Sequence, residues 1–185
     1  MSDKQTAVYG IYKTVSQAEH AVKRLVQTGF TNDDISVLMP DVASTKDFAH
    51  EKNTKAPEGT TAGVTAGGAI GGTLGLLAGI GALAIPGVGP LIAAGPIMAA
   101  LAGLGVGGAV GGMIGALVGM GIPEFEAKRY EGRIKEGGIL LSVHCATSEA
   151  ITRAKELLKE TGAEDISSSG EGSAPKPAMA KSASY

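Results

Sequence analysis

The sequence predicts an α+β fold in which one unit is interrupted by a long insertion. Three observations carry that reading. Residues 14–29 and 147–162 share one length from a threonine that opens a helix to a glycine that closes it. The residues that follow are echoed too, QTGFTNDDIS from Gln27 against ETGAEDIS from Glu160. Between the repeats, residues 60–122 contain no Asp, Glu, Lys, Arg or His and hold most of the 29 glycines. Two β-α-β halves of this kind make a ferredoxin-like split β-α-β sandwich, with two helices on one face of a four-stranded antiparallel sheet. The glycine-rich segment is then an inserted helical hairpin between the second and third strands of that sandwich.

Residues 1–40 form the first half. A short strand over 7–13 leads to Thr14, which with Gln17 makes a capping box and opens a helix over about 15–28. Ala18, Ala21, Val22, Leu25 and Val26 fall on one face at helical spacing, and Gly29 closes the helix. After the turn FTNDD, Ile35, Val37 and Met39 alternate along a strand that Pro40 ends. Residues 41–59 are a polar linker carrying Lys46, Lys52 and Lys55. Its His50 reads as a solvated loop residue, because no second metal ligand has the right spacing.

In residues 60–122 glycine recurs every fourth position twice, at Gly63, Gly67, Gly71, Gly75 and Gly79, then at Gly103, Gly107, Gly111, Gly115 and Gly119. Such small-xxx-small ladders let helix backbones touch, so these ten glycines are the candidate helix-packing interface. The first arm, about 61–84, has eight interior glycines, each costing about 1 kcal/mol relative to alanine in a helix. Close packing has to offset that. The run IPGVGP from Ile85 breaks the pattern, and Pro96 starts or kinks the second arm. Each arm is about the ~20 residues needed to cross a bilayer, and lysines and arginines flank both ends. The large apolar side chains of the first arm contribute only about −2 to −4 kcal/mol to insertion, so a hairpin buried between protein subunits stays open as an alternative.

Residues 123–137 form an amphipathic connecting helix with proline at its start, acids in its first turn and Glu124–Lys128 and Glu131–Lys135 pairs. Phe125, Tyr130 and Ile134 give it a partial apolar face, so it lies along a surface. Residues 138–168 are the second half: a strand over 139–145, a helix capped by Thr147 and closed by Gly162, and an edge strand at 165–168. Residues 169–185 have the composition of a disordered tail. Aligning the halves places Val8, Gly10, Tyr12, Leu141, Val143 and Cys145 on the helix-covered face. Tyr9, Ile11, Leu140, Ser142 and His144 take the other, open face. Cys145 is then a buried small hydrophobe, and its neighbour His144 points away from it.

No catalytic constellation and no cofactor site emerge. The net charge of −2 gives no case for nucleic acid, and the single cysteine excludes an internal disulfide. The polar N-terminus does not read as a secretory signal. Gly103, Gly105 and Gly108 match a dinucleotide fingerprint by spacing alone, with no preceding strand. No small-molecule substrate is indicated.

The pattern AVYGIYKTVSQAEHAVKRLVQTGFTNDDISVLMPD, with the run GIPEFEAKRYEGRIKEGGILLSV from Gly121, resembles the bacterial general stress protein 17M-like family. Its membrane-annotated relatives carry a glycine-rich hydrophobic insertion. The resemblance implies a bacterial, non-enzymatic, stress-associated protein with no catalytic residues to carry over. The expected function is therefore a stress-associated inner-membrane protein with cytoplasmic termini that homo-oligomerises through its glycine-zipper hairpin in contact with lipid. The alternative is a cytoplasmic, self-assembling homo-oligomer, a closed particle or filament, with the hairpins buried between subunits.

Overall fold

Two threonines set the two longest helices among the described residues. Thr14 Oγ1 accepts from Gln17 N at 3.3 Å, and Thr147 Oγ1 accepts from Ala150 N at 3.1 Å. Each cap satisfies one of the orphan amides of a first helical turn. The computed structural model describes residues 6–41, 81–85, 88–95 and 112–170. In chain order these are β1 (Thr6–Tyr12), α1 (Val15–Gln27), a 3-10 turn (Asn32–Asp34), β2 (Ile35–Pro40), β3 (Gly81–Ile85), β4 (Gly89–Ala94), α2 (Gly112–Gly119), α3 (Glu124–Lys135), β5 (Ile139–Cys145), α4 (Ser148–Glu160) and β6 (Glu164–Gly170).

The four helices among the described residues end alike. At the end of α1, Gly29 N donates to Val26 O and Phe30 N donates to Leu25 O. The same two bonds recur at Gly121 and Ile122 after α2, at Gly137 and Gly138 after α3, and at Gly162 and Ala163 after α4. This is the Schellman arrangement, in which a glycine at positive φ lets the chain reverse and satisfy the last carbonyls. The four glycines have φ between 87° and 100°.

The strands form one six-stranded sheet in the order β3-β4-β2-β5-β1-β6, antiparallel at every junction. β5 runs between β1 and β2, with Val8 opposite Val143 and Val37 opposite Leu141. Alternation along the strands sorts the side chains into two cores. Val8, Tyr12, Leu141, Val143 and Cys145 pack with Ala18, Val22 and Leu25 of α1 and Ala154, Leu157 and Leu158 of α4. Gly10 brings α4 close: a Cβ there would lie 2.8 Å from Leu158 Cδ2 and 3.0 Å from Ala163 Cβ.

The opposite face is where the structure departs from expectation. Tyr9, Ile11, Leu38 and Leu140 are not open to solvent but pack under α2 and α3, against Met113, Leu117, Ala127, Tyr130 and Ile134. Helices therefore cover both faces of the sheet. Ser142 is buried there as well, and His144 is half-buried.

The inserted segment is corrected in the same region. Residues 81–84, expected to end a first helical arm, lie in β3, which pairs with β4 in an antiparallel hairpin. β4 in turn extends the sheet along β2, with Val37 opposite Ala94 and Pro40 opposite Leu91. Backbone hydrogen bonding along the β2 edge satisfies this stretch, so it does not need a helix partner. From the expected second arm, α2 keeps helical form but is eight residues long and folds onto the sheet. Among the described residues no helix is long and apolar enough to cross a membrane. Met113 and Leu117 bury against sheet residues in place of lipid.

Candidate interaction face

The surface over the second face is built from α2 and α3 and pinned to the sheet edge by β6. Tyr130, 1% exposed, points inward and lies 6.2 Å from Tyr9, ring centroid to centroid. Its hydroxyl donates to Asp165 O at 2.9 Å and meets Ser167 Oγ at 2.7 Å. Its single proton goes to the carbonyl, so the serine is the donor in the second bond. Burial pushes the Tyr130 hydroxyl up to about 12; the Ser167 bond opposes this, and the charges of Glu126 and Asp165 add to it. On the other face Tyr12 is raised to about 12 by burial, against its bond to Thr161.

Around Tyr130 lies a charged clasp. Arg129 Nη1 reaches Asp165 Oδ1 at 3.1 Å and Arg133 Nε reaches Asp165 Oδ2 at 3.2 Å. Arg133 Nη2 also lies 3.5 Å from Glu164, which pairs with Lys13. Asp165 is 18% exposed at its side chain and adopts φ 51°, the one non-glycine residue at positive φ among those described. Aspartate tolerates that region better than most residues because its short side chain bonds locally. The sequence held a signal for this clasp. Arg129 and Arg133 are like charges four apart on one helix face, which is unfavourable without an acid between them.

Outward, α3 carries the two ion pairs expected from the sequence, Lys128–Glu124 at 2.7 Å and Lys135–Glu131 at 2.8 Å. The hydrogen bond from Lys128, and then its charge, hold the Glu124 carboxyl below the usual carboxylate range. Phe125 is 70% exposed, with the Arg129 guanidinium 4.7 Å from its ring centroid. α2 presents Gly112, Gly115, Val118 and Gly119 to the outside. Of the ten glycines assigned to helix packing, Gly115 and Gly119 are thus placed on an exposed helix face. Gly63, Gly67, Gly71, Gly75, Gly79, Gly103, Gly107 and Gly111 lie outside the described residues, as do His50 and the fingerprint glycines Gly103, Gly105 and Gly108. Cys145 is 1% exposed in the first core. Among the described residues no group of three His, Cys, Asp or Glu could hold a metal ion.

The described residues thus define an α+β scaffold whose doubly covered sheet presents a helical surface, charge-free on the exposed side of α2 and ion-paired on α3. A family model described as ActD: Alternative complex III, ActD subunit, matches residues 6–168, and the chain belongs to that family. Comparison with the curated proteins and with the solved structures returns no match in either. The family match overturns the resemblance to general stress protein 17M-like proteins. That resemblance rested on common helix-strand residue types and on the run GIPEFEAKRYEGRIKEGGILLSV, which lies within the residues the ActD model matches. With it go the expected role in stress and both self-assembling readings, the zipper in the membrane and the closed particle or filament.

Proposed function

We propose that the chain is a structural subunit of alternative complex III, a respiratory electron-transfer complex, and contributes protein contacts rather than catalysis of its own. The observation that carries this reading is the family match over residues 6–168. Its partners are then other subunits of that assembly, and its membrane association comes through them. In this reading β1, α1, β2, β5, α4 and β6 are a ferredoxin-like unit: their sheet order, β2-β5-β1-β6, is the one two interleaved β-α-β halves produce. The β3–β4 hairpin and the α2–α3 pair are additions to it, made from and just after the glycine-rich insertion.

The surface best suited to those contacts is the outer side of α2 and the start of α3. Interfaces concentrate aromatic residues and arginine at their centre and deplete charge there. Phe125 with Arg129 over its ring supplies the first feature, and the charge-free exposed side of α2 supplies the second. Affinity purification of the tagged full-length chain from detergent-solubilised membranes of its native host tests the reading. The other subunits of the complex are expected to co-purify. Phe125→Asp is expected to leave the melting temperature unchanged and to reduce that recovery severalfold. Recovery of the wild-type chain without any of those subunits would refute the proposed role; full recovery with Phe125→Asp would refute the placement of the surface.

A further inference from the structure

Two polar side-chain atoms among the described residues are buried without a hydrogen-bond partner, Glu126 Oε2 on α3 and Ser169 Oγ on β6. Buried polar atoms in folded proteins are nearly always paired, so each exception calls for a reason. These two sit on facing elements. α3 runs antiparallel to β6: Arg133 meets Glu164 and Asp165, and Tyr130 meets Asp165 and Ser167. Four residues back along a helix is about 6 Å, and two residues on along a strand is about 7 Å. That step carries Tyr130–Ser167 to Glu126–Ser169.

The ordinary partners are blocked. Glu126 occupies the third position of α3, from which a glutamate reaches back to the amide of the N-cap residue. The residue there is Pro123, which has no N–H. Tyr130 is committed to Asp165 O and Ser167 Oγ. Every other charged side chain on α3 is in an ion pair: Glu124 with Lys128, Glu131 with Lys135, and Arg129 and Arg133 with Asp165. Glu126 alone has none.

We propose that Glu126 Oε2 and Ser169 Oγ bind a buried water that bridges α3 to the far end of β6. The ligand must donate to a carboxylate and exchange a hydrogen bond with a hydroxyl. It must also be small, because both atoms are shielded from solvent although Glu126 and Ser169 are themselves only half-buried. Water meets these requirements where two or more polar groups converge. The bridge continues the Asp165–Tyr130–Ser167 seam by one more step toward the start of α3.

A high-resolution crystal structure of the full-length chain and water-to-amide cross-peaks in NMR test this together. The expected result is one water within hydrogen-bond distance of both atoms, with a long-lived cross-peak at the Ser169 amide. That peak should vanish in Glu126→Leu and in the milder Ser169→Ala, while the Tyr130–Ser167 contact persists. A direct Oγ–Oε2 bond, a bound sodium or ammonium ion in place of water, or a cross-peak unchanged in both variants would each overturn it.

Discussion

Replacing Asp165 by Asn, Gly and Ala separates two contributions that meet at one residue. Asp165 receives both arginines of α3 and holds φ 51°. Its arginine partners are 44% and 40% exposed at their side chains, so the charge-assisted bonds are screened. Losing them is expected to cost about 1 kcal/mol. Asparagine also tolerates the left-handed region, so Asp165→Asn should cost roughly that ~1 kcal/mol. Glycine is at ease there but adds freedom to the unfolded chain, which brings Asp165→Gly to about 1.5 kcal/mol. Alanine loses the ion pairs and also meets left-handed strain of ~1–2 kcal/mol, for a total of about 2–3 kcal/mol. In a chain of 185 residues each kcal/mol moves the melting temperature by about 2–4 °C. Urea and thermal unfolding followed by circular dichroism would read the order Asn, Gly, Ala. Raising the salt to about 1 M should shrink the Asn effect and leave the gap between Gly and Ala. If Ala and Gly coincide, the backbone argument is wrong. If all three variants match wild type, the clasp does not contribute to stability.

Alkaline pH should unfold the protein through its two buried tyrosines. Tyr12 and Tyr130 are raised to about 12 by burial, so the folded state keeps protons that the unfolded state gives up. Their stabilising effect is complete below pH ~10 and is lost as pH rises from there through ~12, by up to about 1.4 kcal/mol per pH unit for each group. Urea titrations at stepped pH should show that slope, and Tyr130→Phe should remove its share of it. Gly10→Ala would place a Cβ against Leu158 and Ala163; because the Ala163 Cβ cannot swing aside, a loss of about 1–3 kcal/mol is expected by thermal unfolding. The contrasting change is Gly132→Ala in α3, where a Cβ meets nothing within 4 Å; it should stabilise by up to ~1 kcal/mol.

Periodicity made the frame of the domain readable. β5 spans Ile139–Cys145 as the apolar run predicts, and α1 and α4 start and stop where Thr14, Gly29, Thr147 and Gly162 place them. The two i,i+4 pairs on α3 form because their spacing leaves each acid one turn from its lysine. The hairpin of β3 and β4 was not readable. GALAI and GPLIAA are short, mostly apolar runs, and such runs fit a buried strand or a helix end equally well. The chain does reverse at the run IPGVGP, but it joins two strands there, with Ile85 opposite Gly89, rather than two helices. The second cover of the sheet was missed because Ser142 and His144 made one side of β5 look wet. The better signal was β1, where Tyr9 and Ile11 are as apolar as Val8 and Tyr12. Near-continuous apolar strands mark a sheet buried on both sides. The Arg129–Arg133 spacing calls for an acid, but which acid was not readable, because Asp165 lies more than thirty positions along the chain.

The charge-free segment gives the sheet two of its strands and one of the helices that roof it. It is therefore not a cassette that can be cut out to leave a tidy core behind. Excising residues 60–122 would uncover Leu38 and Leu140 and bare the β2 edge that β4 now seals. An open edge of that kind invites pairing with foreign strands. Any history in which the insertion arrived late must also explain how the older domain kept that flank from aggregating.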